Sequence, residues 1–152
     1  IDERVDFLKK IDDEKIIKIF FGVEKNPIWG NQFFEELSKS KMGLNFNRGS
    51  SIKYYSSDRI CSLIANGLLT FLQKNYSYED FFDDNEHVIY FDNHEDLKEK
   101  IQFYSNNFEH RSKIAEKGKK RYFELFDHKL VTEFMINKIF QTRMEHKKSW
   151  MS

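Results

Sequence analysis

The sequence predicts an α/β domain with a mainly parallel sheet flanked by helices and a helical C-terminal third. Three observations lead there. Short β-prone apolar runs alternate with stretches of helical periodicity. Between Met42 and Leu72 the order is strand, cap, amphipathic helix, glycine stop and strand, the crossover connection that parallel strands need. Finally, 16% of the residues are aromatic, 16 of them Phe, so the chain can build a core although 33% of it is charged.

The chain has 152 residues, enough for one domain. A domain of this size buries about 70% of the surface its unfolded chain exposes. The 25 Lys and Arg balance the 25 Asp and Glu, which argues against a basic nucleic-acid binder and against a polybasic membrane-surface protein. A single cysteine, Cys61, excludes an intrachain disulfide and a multi-cysteine zinc site. No apolar run approaches the roughly 18 to 20 residues of a membrane span, and no signal peptide opens the sequence. A reducing, cytoplasmic location is expected, with peripheral attachment to the inner face of a membrane left open. The opening at Ile1, directly in charged helical sequence, is expected of a fragment of a longer protein.

Val5, Phe7, Leu8 and Ile11 have helical spacing. Lys15 to Gly22 holds Ile16, Ile17, Ile19, Phe20 and Phe21 and reads as a buried strand. Pro27 sits in a loop, after which Phe33, Phe34 and Leu37 mark a helix from about Asn31 to Ser40. Met42, Leu44 and Phe46 alternate with Gly43, Asn45 and Asn47 in a second strand. Arg48 to Ser51 is a polar loop, and Ser56-Ser57-Asp58-Arg59 resembles a capped helix start. Ile60, Leu63 and Ile64 give that helix its apolar face, and Asn66-Gly67 stops it. Leu68 to Leu72 and His87 to Phe91 are further strands, separated by a short aromatic helix or turn from Tyr78 to Phe82. A helix with Leu97, Ile101 and Tyr104 on one stripe follows, then helices near Phe108–Phe126 and His128–Glu145. Gly118 is expected to weaken or bend the first of that last pair. Residues 1–145 form one domain, and the tail 146–152 is expected to fray.

Ligands of open α/β sheets bind beyond the carboxyl ends of the strands. That places the interest in Asn45 to Arg59. A helix start there offers unpaired amides and the positive end of the dipole, which suits phosphate. Arg48, Lys53 and Arg59 can neutralise a diphosphate, with Ser56 and Ser57 beside them, and Tyr54 or Tyr55 can stack on a base. The plainer alternative is a capped helix with solvated charges and two packed tyrosines.

Several segments also resemble, in order, the nucleotide-sugar half of GT-B glycosyltransferases of the group 1 type. Arg59 to Phe71 is similar to the family pattern R-x-x-E-x-x-A-x-G followed by a strand. Lys39 to Asn47 resembles its "a-k-i-g-L-n" strand, and Glu79 to Phe91 its "l-x-x-x-F-x-x-x-e-x-v-x-f" segment. Glu95 to Ile101 resembles "e-e-L-x-x-k-I", Arg111 to Gly118 resembles "R-x-x-I-A-x-x-G", and Asp127-His128 stands at an "H-T-Y" type turn. The likeness covers about Ile16 to Phe140.

The resemblance implies a Rossmann-like half-domain that binds a nucleoside diphosphate sugar, whose sugar passes to a glycan, lipid or protein acceptor. It implies no cofactor and no protein-bound metal: the helix start and nearby Arg or Lys would stabilise the leaving diphosphate. It implies about six strands and a partner N-terminal acceptor domain, neither fully present in this chain. A sheet edge left open by such a cut invites pairing with a second copy, so a homodimer is expected to be accessible. Two family glutamates, eight positions apart, face the donor sugar and the ribose; Tyr54 and Ser62 stand there in this sequence. Ser62 can still hydrogen-bond a ribose hydroxyl, and Asp58 is the nearest carboxylate. No catalytic residue is assigned. The alternative function is a non-catalytic Rossmann-like interaction module that has lost the donor site. A third, receiver-like reading, with Asp92 at a strand end, lacks the acidic cluster that would hold magnesium.

The five histidines show no compact ligand spacing. His128 reads as a helix-start residue, Cys61 as a buried small hydrophobe, and Asp83-Asp84 as turn residues. Neither a G-x-G-x-x-G nor a P-loop occurs, so dinucleotide oxidoreductase and NTPase readings lack support.

Overall fold

The computed structural model describes residues 3–12, 26–47, 52–144 and 148–151. The strand expected over Lys15–Gly22 and the candidate Arg48 lie outside the described residues. Strands β1 (Met42–Asn45), β2 (Leu69–Gln73) and β3 (Ile89–Phe91) form a parallel sheet in spatial order β1-β2-β3. Leu44 pairs with Phe71, and Phe71 with Ile89. The α/β class and the parallel sheet are as expected, with α1 (Glu3–Asp12), α2 (Asn31–Lys39), α3 (Asp58–Ala65), α4 (His94–Asn106), α5 (Phe108–Phe126) and α6 (His128–Phe140) around it.

Strand periodicity divides the core between the two faces of the sheet. Leu69, Phe71, Ile89 and Phe91 pack with Leu97, Ile101 and Tyr104 of α4 and Phe7 of α1. Leu72, Val88 and Tyr90 pack with Ile60 and Ile64 of α3 and with Tyr122 and Phe126 of α5. Covering both faces explains why β2 is buried along nearly its whole length, Thr70 included, rather than at alternate residues. Helix α2 closes one side by setting Phe33 and Leu37 against Leu63 and Leu68.

Several boundaries differ from expectation for local reasons. β3 begins at Ile89 because residues 83–88 form a turn, with Asn85 left-handed at φ 58° and Asp84 accepting from the Tyr90 amide at 2.9 Å. Helix α6 ends at Phe140 rather than Glu145: Gln141 is left-handed (φ 54°), and the Thr142 amide turns back to the Asn137 carbonyl at 3.0 Å. The tail does not fray entirely. Trp150 donates to the Leu125 carbonyl at 2.9 Å and packs against Phe126 and Phe134, and Met151 is buried.

Gly118 neither breaks nor ends α5, which is continuous across it. It marks a close approach: a Cβ there would lie 2.2 Å from the His87 carbonyl oxygen. The R-x-x-I-A-x-x-G segment thus has a packing meaning. At helical spacing, Arg111, Ile114, Ala115 and Gly118 all face inward and are buried. The Arg111 guanidinium donates to the Tyr104 carbonyl at 2.8 Å, satisfying an acceptor near the end of α4. Because the obstacle at Gly118 is backbone, Gly118→Ala should cost about 1–3 kcal/mol or more and lower the melting temperature by roughly 2–12 °C. An unchanged thermal melt would contradict this close-packing assignment.

Candidate functional site

The loop from β1 into α3 places the candidate residues at the carboxyl edge of the sheet. Helix α3 lies tight on β1 because position 43 has no side chain: a Cβ there would sit 2.4 Å from Leu63 Cδ2. β1 ends at Asn45, which is fully buried, and Asn47 is buried two residues on. Ser57 is the N-cap residue of α3, but its hydroxyl caps no amide of the helix and instead donates to Asn45 Oδ1 at 3.4 Å. The expected serine cap is therefore absent, since the buried amide of Asn45 attracts the hydroxyl. Ser56 is exposed, and its Oγ meets the Ser57 carbonyl at 3.5 Å. Arg59 reaches back from the first turn of α3 to Asn45 Oδ1 at 3.5 Å and to the Phe46 carbonyl at 3.3 Å. The structure thus brings Ser57 and Arg59 together over the end of β1. Asp58 is exposed in the first turn of α3, and Ser62 is half-buried one turn further along.

Lys53, Tyr54 and Tyr55 fasten instead to the loop after β2. The Tyr54 amide donates to the Tyr76 carbonyl at 2.9 Å, its hydroxyl to the Asp80 carboxylate, and its ring lies 4.9 Å from that of Phe81. Lys53 Nζ sits 4.6 Å from the centre of the Tyr54 ring and 3.7 Å from Asp80 Oδ2. The Tyr54 oxygen, and then Asp80, raise the pKa of the Lys53 ammonium, so it stays charged. Tyr54, Asn75 and Ser77 are all left-handed, at φ 60°, 79° and 60°. Strained backbone of this kind collects where neighbouring structure over-determines a loop.

Sequence reasoning missed the polar core of this edge. Asn45 Nδ2 donates to Asn47 Oδ1 at 3.1 Å, Asn47 Nδ2 donates to the Tyr78 hydroxyl at 2.8 Å, and the Tyr78 hydroxyl donates to the Tyr55 carbonyl. Burial pushes the Tyr78 pKa up, against the opposing pull of Asn47, so its proton stays available to donate. The signal was present: Asn45 and Asn47 fall on the second phase of a strand, and both phases are buried in a doubly covered sheet. Cys61 is exposed, not buried as expected, because it lies on the outer side of a short helix whose apolar stripe is Ile60, Leu63 and Ile64. Burial, and then the neighbouring Cys61 thiol, raise the pKa of Tyr122 on α5. His128 is the first residue of α6, and Asp83 and Asp84 are turn residues, as expected.

The carboxyl end of β3 carries a second charged group. Asp92 pairs with Lys74 at 2.6 Å, and Asp96 pairs with Lys100 at 2.8 Å. Asp96 also accepts from the Asp92 amide at 3.0 Å, while the Asn93 side chain caps the Asp96 amide, so the start of α4 is held reciprocally.

With this geometry in place, the comparisons assign a class. A glycosyl transferase-like family model matches residues 4–136, and the chain belongs to that family. It is a group 1 type glycosyltransferase domain on a Rossmann-like α/β fold. No curated protein and no solved structure matches the chain.

Burial pushes the Asp96 carboxyl up, but hydrogen bonds from Lys100 and the Asp92 amide, with the charges of Lys100 and Lys74, hold it below its ordinary 3.8. A depressed carboxyl contributes stability that is present above that ordinary value and lost as pH falls through the folded one. Denaturant unfolding should find Asp96→Asn less stable than the parent near neutral pH, with the gap closing below about pH 4. A gap that stays constant down to about pH 2 would count against it.

Proposed function

We propose that the chain is the donor-binding portion of a GT-B glycosyltransferase. It would hold a nucleoside diphosphate sugar whose sugar passes to a glycan, lipid or protein acceptor, as in polysaccharide biosynthesis. One observation carries the reading. The start of α3 lies over the carboxyl end of β1 with no cap from the Ser57 side chain, and Arg59 folds back over the same end. Such a helix start suits phosphate, and a guanidinium can hold two of its oxygens. In this reading Arg59, Ser56 and Ser57, with Lys53 and Arg48, take the diphosphate. Tyr54, Tyr55, Asp58 and Ser62 line the nucleoside and sugar. An N-terminal domain would supply the acceptor site, and a second copy is a further partner. No helix among the described residues is long and apolar enough to cross a membrane. We place the protein in the cytoplasm, with attachment to the inner face of a membrane as the variant of that proposal.

Stabilising the leaving diphosphate needs donors aimed at charge that develops as the sugar bond breaks. Arg59 and the first amides of α3 are the groups suited to that task. A second reading, a non-catalytic interaction module, draws on a different observation. Lys53 and Tyr54 are already engaged with Asp80, and Tyr54 and Ser62 occupy the positions of the family's two glutamates.

Calorimetric titration with several nucleoside diphosphates, beside thermal melting, tests the choice. A charge-assisted hydrogen bond contributes about 1.5–3 kcal/mol, so Arg59→Ala should weaken binding roughly 10- to 150-fold. Lost binding with an unchanged melt supports the donor site. A lowered melt with unchanged binding assigns Arg59 to holding the fold rather than the donor. If the parent chain binds no nucleoside diphosphate at millimolar concentration, the module reading replaces the enzyme.

A further inference from the structure

The relay Asn45–Asn47–Tyr78 runs through buried side chains and ends on a carbonyl in the segment that leads into α3. All three residues are more than nine-tenths buried. Their donors run in one direction, Asn45 to Asn47, Asn47 to Tyr78 and Tyr78 to Tyr55, so the chain has one polarity. The relay begins at the same Asn45 whose Oδ1 accepts from Ser57 and Arg59. It therefore ties three separate pieces of chain together: the end of β1, the approach to α3, and the turn after β2. Among the described residues, the first part of the approach is also held by Lys53 and Tyr54 on Asp80 and by Tyr54 on Phe81. Its backbone bonds are Tyr54 to Tyr76 and Tyr55 to Ile52, and the side chains of Tyr54, Tyr55 and Ser56 are exposed.

We propose that Asn47 and Tyr78 are positioning residues that set the place of the Tyr55–Ser57 segment relative to Arg59, and thereby the shape of the donor site. The second half of this statement rests on the donor-site reading above; the first half does not. A buried network with every member satisfied fixes one conformation, whereas a broken link leaves its neighbours unpaired. Tyr78 is suited to the last link because its ring stacks on Tyr76 at 5.7 Å between centres, which fixes where the hydroxyl points.

The test compares the parent chain, Tyr78→Phe and Asn47→Ala by amide hydrogen exchange without nucleotide, by thermal melting, and by calorimetric titration with nucleoside diphosphates. Tyr78→Phe keeps the stacked ring and removes the hydroxyl that accepts from Asn47 and donates to Tyr55; Asn47→Ala removes the amide between Asn45 and Tyr78. Both should speed exchange at Tyr54 and Tyr55 by about 2- to 13-fold, the effect of one net hydrogen bond. Amides of β2 and α4 should keep the parent's rates, and diphosphate affinity should fall by a similar factor. Unchanged exchange at Tyr54 and Tyr55 in both variants overturns the proposal. So does acceleration spread evenly over the sheet, which would mark a merely structural role, and so does faster local exchange with undiminished affinity. If the parent binds no nucleoside diphosphate, the donor-site reading and the proposed site-shaping role both fall. The exchange measurement still decides whether the relay holds the segment.

Discussion

The double coverage of β2 is the constraint on which the rest depends. Leu69, Phe71 and Leu72 are at most 1% exposed, and apolar clusters lie on both faces of the strand. Burying apolar area at roughly 25 cal/mol per Å² favours this arrangement, but it leaves no solvated face on which polar groups can rest. Polar residues near the sheet are therefore drawn to partners, with Gln73 Oε1 at the end of β2 left unpaired among the described residues. Asn45 finds Asn47, Ser57 and Arg59; Arg111 finds the end of α4. The candidate site grows out of this requirement, since the buried amide of Asn45 draws Ser57 and Arg59 to the end of β1.

Close packing has the same origin. Helices can cover both faces only if they approach the sheet and its turns closely, and two glycines permit that. Gly43 admits Leu63 of α3, and Gly118 admits the His87 carbonyl against α5. The first contact fixes where the start of α3 falls. The second fixes how α5 passes the turn before β3. Two segments of family-like sequence thus have a physical content that is separate from any ligand, with Gly118 and Arg111 serving the packing of α5.

Lys53 and Asp80, Lys74 and Asp92, and Lys100 and Asp96 form local pairs that hold loops and the start of α4. The exposed pairs Lys53–Asp80 and Lys74–Asp92 contribute little individually to stability, whereas Lys100–Asp96 is half-buried. Arg59 donates to the carbonyl oxygens of Asn45 and Phe46 at the end of β1. The sequence presents Arg59 and Lys53 simply as basic residues near a helix start; the structure turns Lys53 to Asp80 and sets Arg59 over the end of β1.

The sequence by itself determined the α/β class, the order of elements from α2 onward, and the cores of β1, β2, α3, α4 and α5. Periodicity and glycine stops are local signals, read within a few residues. It also pointed to the approach to α3 as the region of interest, and its ordered motifs pointed to the family. Only the tertiary structure decided that Ser57 does not cap its own helix, that Cys61 is exposed, and that α6 stops at Phe140. It also decided that Tyr54 and Lys53 are bound to Asp80, and that Asn45, Asn47 and Tyr78 form one buried relay. Tyr78 lies 31 residues from Asn47 and Asp80 lies 26 from Tyr54. Contacts at such separations follow from the register of the parallel strands and the crossover between them. No local pattern encodes which polar side chain a buried amide will meet.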